Sequence, residues 1–313
     1  MIVTGIGSLS GKNPREAAKF VAGTYEELPY VPELPTAGVG RDFTGRGCAF
    51  LYDLHFDLQP SGWRMVDRAG RDEIRARSAL REDLDSAEEA FAGWNGKLKI
   101  QVPGAWTLCS LVERTFGGLM LADQGACRDL SESLVVGVSE YVRELHRRIP
   151  NLAQVVIQWD EPMLGSVISG GLVSPSGLNR IRVPEKEEIL TFLNSASSIP
   201  GVETVLHSCA RDLPISLLAS SSLNRIALDI DLIKVDDIGL LVDAGKQIGF
   251  GTEITDHKAL VSRILEVKKE SGLDVESAWL TPTCGNPKSS FEEVYKRVRY
   301  FKNVVDSVKE MVA

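Results

Sequence analysis

The chain alternates between short β-rich runs and amphipathic helical segments, and this alternation limits its fold more than any other feature. Strand-then-helix units imply parallel strands joined by right-handed crossovers, because the helix returns the chain to the starting edge of the sheet. Eight such units predict an α/β fold of the closed (β/α)8 TIM barrel type. The eight predicted strands are Ile2–Gly5, Ala49–Leu58, Leu98–Val102, Gln154–Trp159, Glu203–Leu206, Arg225–Ile230, Gln247–Gly251 and Ala278–Thr281.

Two of the intervening helices are marked by apolar residues at every third or fourth position. One runs from Leu134 to Ile149 and is ended by Pro150, and the other has its apolar face between Phe291 and Val308. A doubly wound open sheet is the alternative fold. Its nucleotide-binding form would carry a glycine fingerprint after the first strand, and Gly5-Ile6-Gly7-Ser8 stops short of that fingerprint.

Two segments differ from this pattern. Residues 24–46 are rich in Pro and Gly, which predicts a long irregular loop of the kind that usually serves a function. Residues 66–92 carry many staggered charges, which predict a solvated helix with ion pairs along its surface. The whole chain, residues 1–313, is within the size range of one barrel, so we predict a single domain.

Charge and leader features favour a cytoplasmic protein without nucleic-acid or membrane partners. Lys and Arg number 35 against 43 Asp and Glu, and the resulting net charge of −8 opposes binding to phosphate-rich surfaces. The N-terminus lacks a basic leader followed by a long apolar run, and no stretch approaches the length of a membrane span. The sparse cysteines favour free thiols or metal ligation over disulfides.

Polar and metal-binding side chains follow several of the predicted strands. In a parallel barrel the reactive groups gather at the C-terminal ends of the strands, and these ends carry Asp160, His207, Cys209, Asp229 and Cys284. His207 and Cys209 share a face because they are two residues apart. Two thiolates, an imidazole and a carboxylate form a suitable tetrahedral Zn²⁺ set, although buried cysteine is often only a small apolar residue. Thiolate-rich zinc is suited to holding a substrate thiol as a thiolate.

Five segments, in one order over nearly the whole chain, resemble the C-terminal catalytic barrel of cobalamin-independent methionine synthase. This family lies in the superfamily that also contains uroporphyrinogen decarboxylase. The resemblance implies a methyltransferase, because decarboxylases of the superfamily do not need the zinc triad. The five segments are Gly5-Ile6-Gly7-Ser8, Val102-Pro103-Gly104-Ala105-Trp106-Thr107-Leu108, Asp160-Glu161-Pro162, His207-Ser208-Cys209 and Pro282-Thr283-Cys284-Gly285.

The resemblance implies a role for each matching residue. His207, Cys209 and Cys284 match zinc ligands, and Asp229 lies where the family has a glutamate as the fourth ligand. Asp160 matches the acid that binds the ammonium group of homocysteine. The loop that holds the homocysteine carboxylate is matched by Ile6, Gly7 and Ser8.

The chain also departs from the family pattern. A second acid for the amino group has no match at Gly45-Arg46-Gly47, and Ser166 replaces a folate-contacting glutamate. His257 lies about one residue from the position of the proton-donating histidine. The full-length synthase has a second barrel that helps to hold polyglutamylated folate, whereas these residues account for one.

These observations predict a zinc enzyme that methylates a thiol, with homocysteine as the implied acceptor. The departures favour a methylated corrinoid protein or another small methyl donor over free methylfolate. Two alternatives stay open. One is a zinc-free decarboxylase that acts on a large acidic ring through Arg41 and Arg46, and the other is a non-catalytic homologue with a structural zinc.

Overall fold

The parallel sheet forms from the apolar, β-branched runs, since strands covered on both faces are apolar throughout. The computed structural model describes residues 1–173 and 181–312. Within these residues the strands are β1 (Ile2–Val3), β2 (His55–Gln59), β3 (Gly62–Val66), β4 (Lys97–Pro103), β5 (Gln154–Asp160), β6 (Glu203–Ser208), β7 (Arg225–Asp229), β8 (Gln247–Thr252) and β9 (Trp279–Pro282).

Helices separate the parallel strands along the chain. Within the same described ranges they are α1 (Pro14–Thr24), α2 (Phe43–Ala49), α3 (Arg71–Ala90), α4 (Ala105–Leu111), α5 (Gln124–Arg148), α6 (Leu164–Ser169), α7 (Lys186–Ala196), α8 (Ile215–Ser220), α9 (Val235–Asp243), α10 (His257–Ser271) and α11 (Phe291–Val312). The two helices predicted from apolar spacing are α5 and α11. None of the described helices combines the length and the apolar character needed to span a membrane.

Seven strands form one curled parallel sheet in the order β1-β9-β8-β7-β6-β5-β4. Seven of the eight predicted strands correspond to these elements, and the prediction of a parallel α/β fold is confirmed. The predicted strand Ala49–Leu58 is wrong. Its first residue, Ala49, is the last residue of α2, a helix that begins where Asp42 Oδ1 accepts a hydrogen bond from Gly45 N at 3.0 Å. Its last part belongs to β2, which pairs antiparallel with β3 as a separate hairpin.

An extended segment, residues 29–33, lies between the two edges of the sheet. On one side Lys99 N donates to Pro29 O and Val31 N donates to Lys99 O, each at 2.9 Å. On the other side Glu33 N donates to Gly7 O at 3.1 Å. The prolines of this segment lack an N–H group, so they limit its pairing to isolated bridges. The described residues therefore form a seven-stranded sheet, and closure by an eighth strand is not shown.

The floor of the curled sheet is apolar. Val156, Val205, Ala227 and Trp279 form one buried cluster with Leu28. Side chains two residues apart along a strand share a face. The residues above this floor on β5 and β6 are therefore Gln158, Asp160 and His207, so polar groups follow the apolar layer toward the C-terminal ends.

The charged segment 66–92 is only partly the solvated helix that its sequence predicts. Asp83 on α3 is 3% exposed, and its carboxylate is 2.6 Å from Arg41 Nη1 and 2.5 Å from Arg46 Nη1. Arg41 also pairs with Glu82, and Arg46 donates through Nε to Glu33 Oε1 at 3.1 Å. Buried charges are tolerated when each is paired. This ion-pair network therefore ties α3 to α2 and to the loop that precedes α2.

We expect Asp83→Ala to lower the free energy of unfolding by about 3–5 kcal/mol, because it leaves two buried guanidinium groups without their shared partner. Asp85→Ala on the same helix is the control, since Asp85 is 59% exposed and pairs with Arg148 at the surface. Exposed pairs contribute little. Urea denaturation measures both, and equal losses in the two variants would contradict the assignment of the buried network.

Candidate active site

The end of β5 and the end of β6 place an acid beside a histidine. Asp160 and His207 are partners in the parallel register, and Asp160 Oδ1 lies 2.8 Å from His207 Nδ1. The other ring nitrogen, Nε2, lies 3.1 Å from Thr283 O. Burial alone would lower the pKa of His207, but its hydrogen bond to the Asp160 carboxylate and the charge of that carboxylate raise it. The imidazole is thus held by a carboxylate on one side and faces the chain before Cys284 on the other.

Two thiols meet next to this pair. Cys209 is half-buried and Cys284 is exposed. A hydrogen bond from the Cys284 thiol lowers the pKa of Cys209, and the charge of His207 lowers it further. The same hydrogen bond raises the pKa of Cys284. Cys209 is therefore the more easily ionised of the two thiols, which suits it to nucleophilic or metal-binding chemistry.

Asp229 ends β7 near the thiols. Its Oδ1 accepts a hydrogen bond from Asp231 N at 2.8 Å, and burial raises its pKa. The pKa of Cys284 is raised mainly by its hydrogen bond with Cys209 and by burial. The negative charges of Glu253 and Asp229 raise it further. Asp229 therefore lies within electrostatic range of Cys284, while one of its oxygens is held by its own turn.

The described residues hold no group of three His, Cys, Asp or Glu side chains that could hold a metal ion as they stand. His207 Nε2 lies beside a carbonyl oxygen, and the thiols of Cys209 and Cys284 shift each other's pKa. The donor types nevertheless suit zinc, because imidazole and thiolates are its preferred ligands. The carboxylate–histidine pair is also the arrangement that commonly orients a zinc-binding histidine. Metal binding here requires His207 Nε2 to leave Thr283 O and the thiols to turn.

The loop after β1 lies against this cluster. Gly7 has a φ of 145°, and a Cβ there would lie 2.8 Å from Gln101 Cγ, so the position requires glycine. Gly285 packs against Ser8, where a Cβ would lie 2.6 Å from Ser8 Oγ. Asn286 N donates to Ser8 O at 2.8 Å. The loops after β1 and β9 are thus in contact, which brings Ile6, Gly7 and Ser8 to the end of the sheet that carries Cys284.

Glu33 also lies beside this cluster, although no motif in the sequence indicates it. It is 8% exposed, and Ser8 Oγ donates to its Oε2 at 3.5 Å. Burial raises the pKa of Glu33 to about 7, with opposing charges from Arg46 and Lys99 and a further rise from the negative charge of Asp160. The carboxylates of Glu33, in the segment between β1 and β4, and of Asp160, at the end of β5, are therefore close enough for their charges to interact. Such a pair can bind a cation between them.

A buried lysine lies beneath these acids. Lys99 is 0% exposed, and its Nζ donates to Gln158 Oε1 at 2.6 Å and to Ile6 O at 3.3 Å. Gln158 Nε2 in turn donates to Asp160 Oδ1 at 2.8 Å and to Ile6 O at 2.9 Å. Burial lowers the pKa of Lys99 to about 7, against the raising effect of the Asp160 and Glu33 charges.

Glu161 has a different role from its neighbour Asp160. Its carboxylate turns to the N-terminus of α4, where it accepts from Trp106 N at 3.0 Å, Thr107 N at 2.8 Å and Thr107 Oγ1 at 2.6 Å. Free N–H groups at a helix N-terminus are stabilised by such acceptors. The Asp160-Glu161 motif thus divides into one residue that faces the site and one that fixes the helix after β4.

One predicted residue, His257, makes its contacts with a different part of the structure. His257 begins α10, where its Nε2 is 3.0 Å from Ser307 Oγ and its ring packs edge-on against Tyr300. Among the described residues, its recorded hydrogen bond and ring contact are both to α11. Ser166 is a half-buried residue of α6. The catalytic role of His257 stays a prediction.

One known structure shares the fold of this chain at low sequence identity, and two others match with lower scores. A B12-independent methionine synthase from Shewanella sp. W3-18-1, in complex with selenomethionine, matches with a TM-score of 0.53 and 13% identity over 73% of this chain and 67% of that chain. A GH18 chitinase from Pseudoalteromonas aurantia has a TM-score of 0.41 and 8% identity over 96% of this chain and 99% of that one. Xylanase B from Clostridium stercorarium F9 has a TM-score of 0.41 and 10% identity over 91% and 86%. No protein-family model and no curated protein sequence matches the chain.

The raised pKa of Glu33 predicts a pH-dependent stability. The pKa of Glu33 rises from 4.5 to about 7 on folding. Its carboxyl group therefore makes its full contribution to the free energy of unfolding below pH 4.5, and this contribution is lost as the pH rises through about 7. We expect Glu33→Gln, which cannot ionise, to become more stable relative to the wild type over this range, by on the order of 3 kcal/mol. Urea denaturation at several pH values measures the difference.

Glu82→Gln is the control for this prediction, because the Glu82 carboxylate is 59% exposed. Its stability relative to the wild type should change little between pH 5 and 7.5. A Glu33→Gln curve that runs parallel to that of the wild type would show that Glu33 ionises normally in the folded protein.

Proposed function

We propose that this chain is a zinc-dependent methyltransferase of the cobalamin-independent methionine synthase type, and that homocysteine is its acceptor. The observation that carries the proposal is the convergence, at the C-terminal ends of parallel strands, of the Asp160–His207 pair with the thiols of Cys209 and Cys284. The C-terminal ends of strands are where enzymes of this architecture place their chemistry. The fold likeness to a methionine synthase agrees with the proposal.

In this proposal His207, Cys209 and Cys284 hold the zinc ion, and Asp229 is the fourth protein ligand or lies one water molecule away. Bound zinc would supply a Lewis acid that lowers the pKa of the acceptor thiol and holds it as a thiolate. Asp160 keeps the His207 ring in one orientation through Nδ1, which leaves Nε2 for the metal. The exposure of Cys284 leaves the metal side of the cluster open to a substrate.

The amino-acid part of the acceptor binds to the neighbouring acids and loop. Its ammonium group lies between Asp160 and Glu33, and its carboxylate is held by the loop Ile6, Gly7 and Ser8. Asp160 Oδ1 already accepts two hydrogen bonds, so the substrate uses the second oxygen. An ammonium group stabilises ionised Glu33, whose pKa is raised by burial to about 7.

Methyl transfer then needs position more than further acid–base groups. The acceptor sulfur forms a bond to the methyl carbon while the methyl–donor bond breaks. The electron pair of the breaking bond leaves with the donor. Near-linear approach is required for this displacement, so fixing both ends of the acceptor lowers the barrier. A donor that leaves as an amine also takes up a proton, and His257 is the proposed source.

The methyl donor is proposed to be a methylated corrinoid protein or another small donor rather than free methylfolate. Ser166 stands where the family has a folate-contacting glutamate. A hydroxyl cannot accept from a pterin ring with the charge that a carboxylate provides. Folate would therefore be held less firmly here than in the family.

The finer features of the fold belong to the same proposal. The segment 29–33 occupies the position of the second strand, because it bonds to the chain after β1 and to β4. We take the chain as one barrel domain, residues 1–313, with this segment in place of a regular strand. It carries Glu33 into the site, and that placement gives the irregular strand a function.

The decarboxylase alternative needs free arginines at the site. Arg41 and Arg46 are buried, and both are paired with Asp83 in the ion-pair network. Their charges are further neutralised by Glu82 and Glu33. Binding a large acidic ring would require this network to break, so the methyltransferase proposal is the better supported.

Methionine formation tests the proposal. Zinc-loaded protein receives homocysteine with methyltetrahydrofolate, its polyglutamate or methylcobalamin in turn. We expect methionine from methylcobalamin, little from monoglutamyl methylfolate, and a loss of on the order of 100-fold or more in Cys284→Ser, together with loss of bound zinc. Cys48→Ala is the control, because Cys48 is buried in α2 away from the site.

Two outcomes would change this account in different ways. Robust turnover with monoglutamyl methylfolate would refute the proposed donor and leave the thiol chemistry in place. No methionine from any donor, with zinc bound at the wild-type level, would show that homocysteine is not the acceptor.

A further inference from the structure

In its charged form, the side chain of Lys99 has three acceptors for its three N–H bonds. Two are Gln158 Oε1 at 2.6 Å and Ile6 O at 3.3 Å. The third is the Gln101 side-chain oxygen at 3.2 Å, in the amide orientation that also lets Gln101 donate to Val31 O at 2.9 Å. A lysine with all three hydrogens engaged and no solvent exposure has no free group for chemistry.

These bonds join four neighbouring positions around the sheet. Lys99 and Gln101 lie on β4, Gln158 lies on β5, Ile6 lies after β1, and Val31 belongs to the segment that fills the gap. A charged donor makes stronger hydrogen bonds than a neutral one. The lysine therefore fixes the relative positions of the elements that carry the two ends of the proposed amino-acid pocket.

The orientation of the Gln158 amide is the critical link. Because Oε1 accepts from Lys99, Nε2 must face the other way, where it donates to both Ile6 O and Asp160 Oδ1. Asp160 Oδ1 also accepts from His207 Nδ1. A rotated amide would turn its oxygen toward two acceptors, which is unfavourable in a buried site.

We propose that Lys99 is a positioning residue that acts through Gln158. It holds Asp160 and the Ile6 backbone at a fixed separation, so that the pocket accepts the ammonium and carboxylate groups of one enantiomer of an α-amino acid. This inference rests on the proposed function for the identity of the ligand. The hydrogen bond between Lys99 and Gln158 does not depend on any ligand.

Lys99→Met is the direct test, because methionine keeps much of the length and removes the donor. Lys97→Met is the matched control: Lys97 is two residues earlier on β4, and its side chain is 49% exposed and pairs with Glu203. Gln158→Glu is the second variant. It keeps an acceptor for Lys99 and removes the two hydrogen bonds that Gln158 Nε2 donates to Ile6 O and Asp160 Oδ1.

The first measurement follows the Gln158 side-chain amide by NMR after selective ¹⁵N-glutamine labelling, with the signal assigned by its loss in Gln158→Glu. In the wild type and Lys97→Met its protons should exchange slowly with D₂O. In Lys99→Met we expect exchange faster by about ten-fold or more, since the amide loses a charged partner. Unchanged exchange in Lys99→Met would overturn the proposal, whether or not the protein binds an amino acid.

The second measurement compares the Kd values of L- and D-methionine. Both enantiomers carry the same charges, so their ratio cancels the electrostatic effect of removing a cation. We expect Lys99→Met and Gln158→Glu to reduce the preference for the L form by about ten-fold, and Lys97→Met to retain it. Equal weakening of both enantiomers would reduce Lys99 to a merely structural residue and overturn the positioning role.

The two measurements separate the two claims. A wild-type protein with no preference for either enantiomer would count against the proposed amino-acid pocket, and the amide exchange would then decide the role of Lys99 alone. If Lys99→Met fails to fold, Gln158→Glu decides through the enantiomer ratio. An unchanged ratio there contradicts an action of Lys99 through Gln158.

Discussion

The parallel register of β5 and β6 is the constraint on which the site depends. It sets Asp160 opposite His207, and the two-residue period of each strand turns both side chains to the inner face of the sheet. The same period places Gln158 below Asp160, within reach of Lys99. A shift of one residue by β5 in this register would turn Asp160 and Gln158 to the outer face, away from His207 and Lys99.

Buried charge is the second constraint, and the chain meets it by pairing. Outside the sheet, Asp83 neutralises two arginines, and Arg46 extends this network to Glu33. Inside the sheet, Lys99 lies beneath Asp160 and Glu33 with every N–H engaged. Unpaired ions would be too costly in either place. Burial raises the pKa of Glu33 to about 7, so the neighbouring cations compensate its charge only in part.

Most of the fold and part of the site follow from local sequence patterns. Apolar runs identified the parallel strands, and polar residues at their ends identified Asp160, His207 and the two thiols as neighbours. The strand predicted at Ala49–Leu58 failed because an N-capped helix and a hairpin share that apolar run. Glu33 was missed because prolines hide the strand-like position of its segment. A lone acid between apolar residues in that segment was the available signal, and only tertiary contacts give it a meaning.

The central claim is that the thiols and His207 form a metal centre that accepts a substrate sulfur. Zinc K-edge X-ray absorption of the loaded protein, with and without L-homocysteine, tests it most directly. The account predicts about two sulfur neighbours at ~2.3 Å in the free protein and one more when homocysteine is added. An unchanged zinc environment on addition of homocysteine, or zinc without sulfur neighbours in the reduced protein, would contradict it.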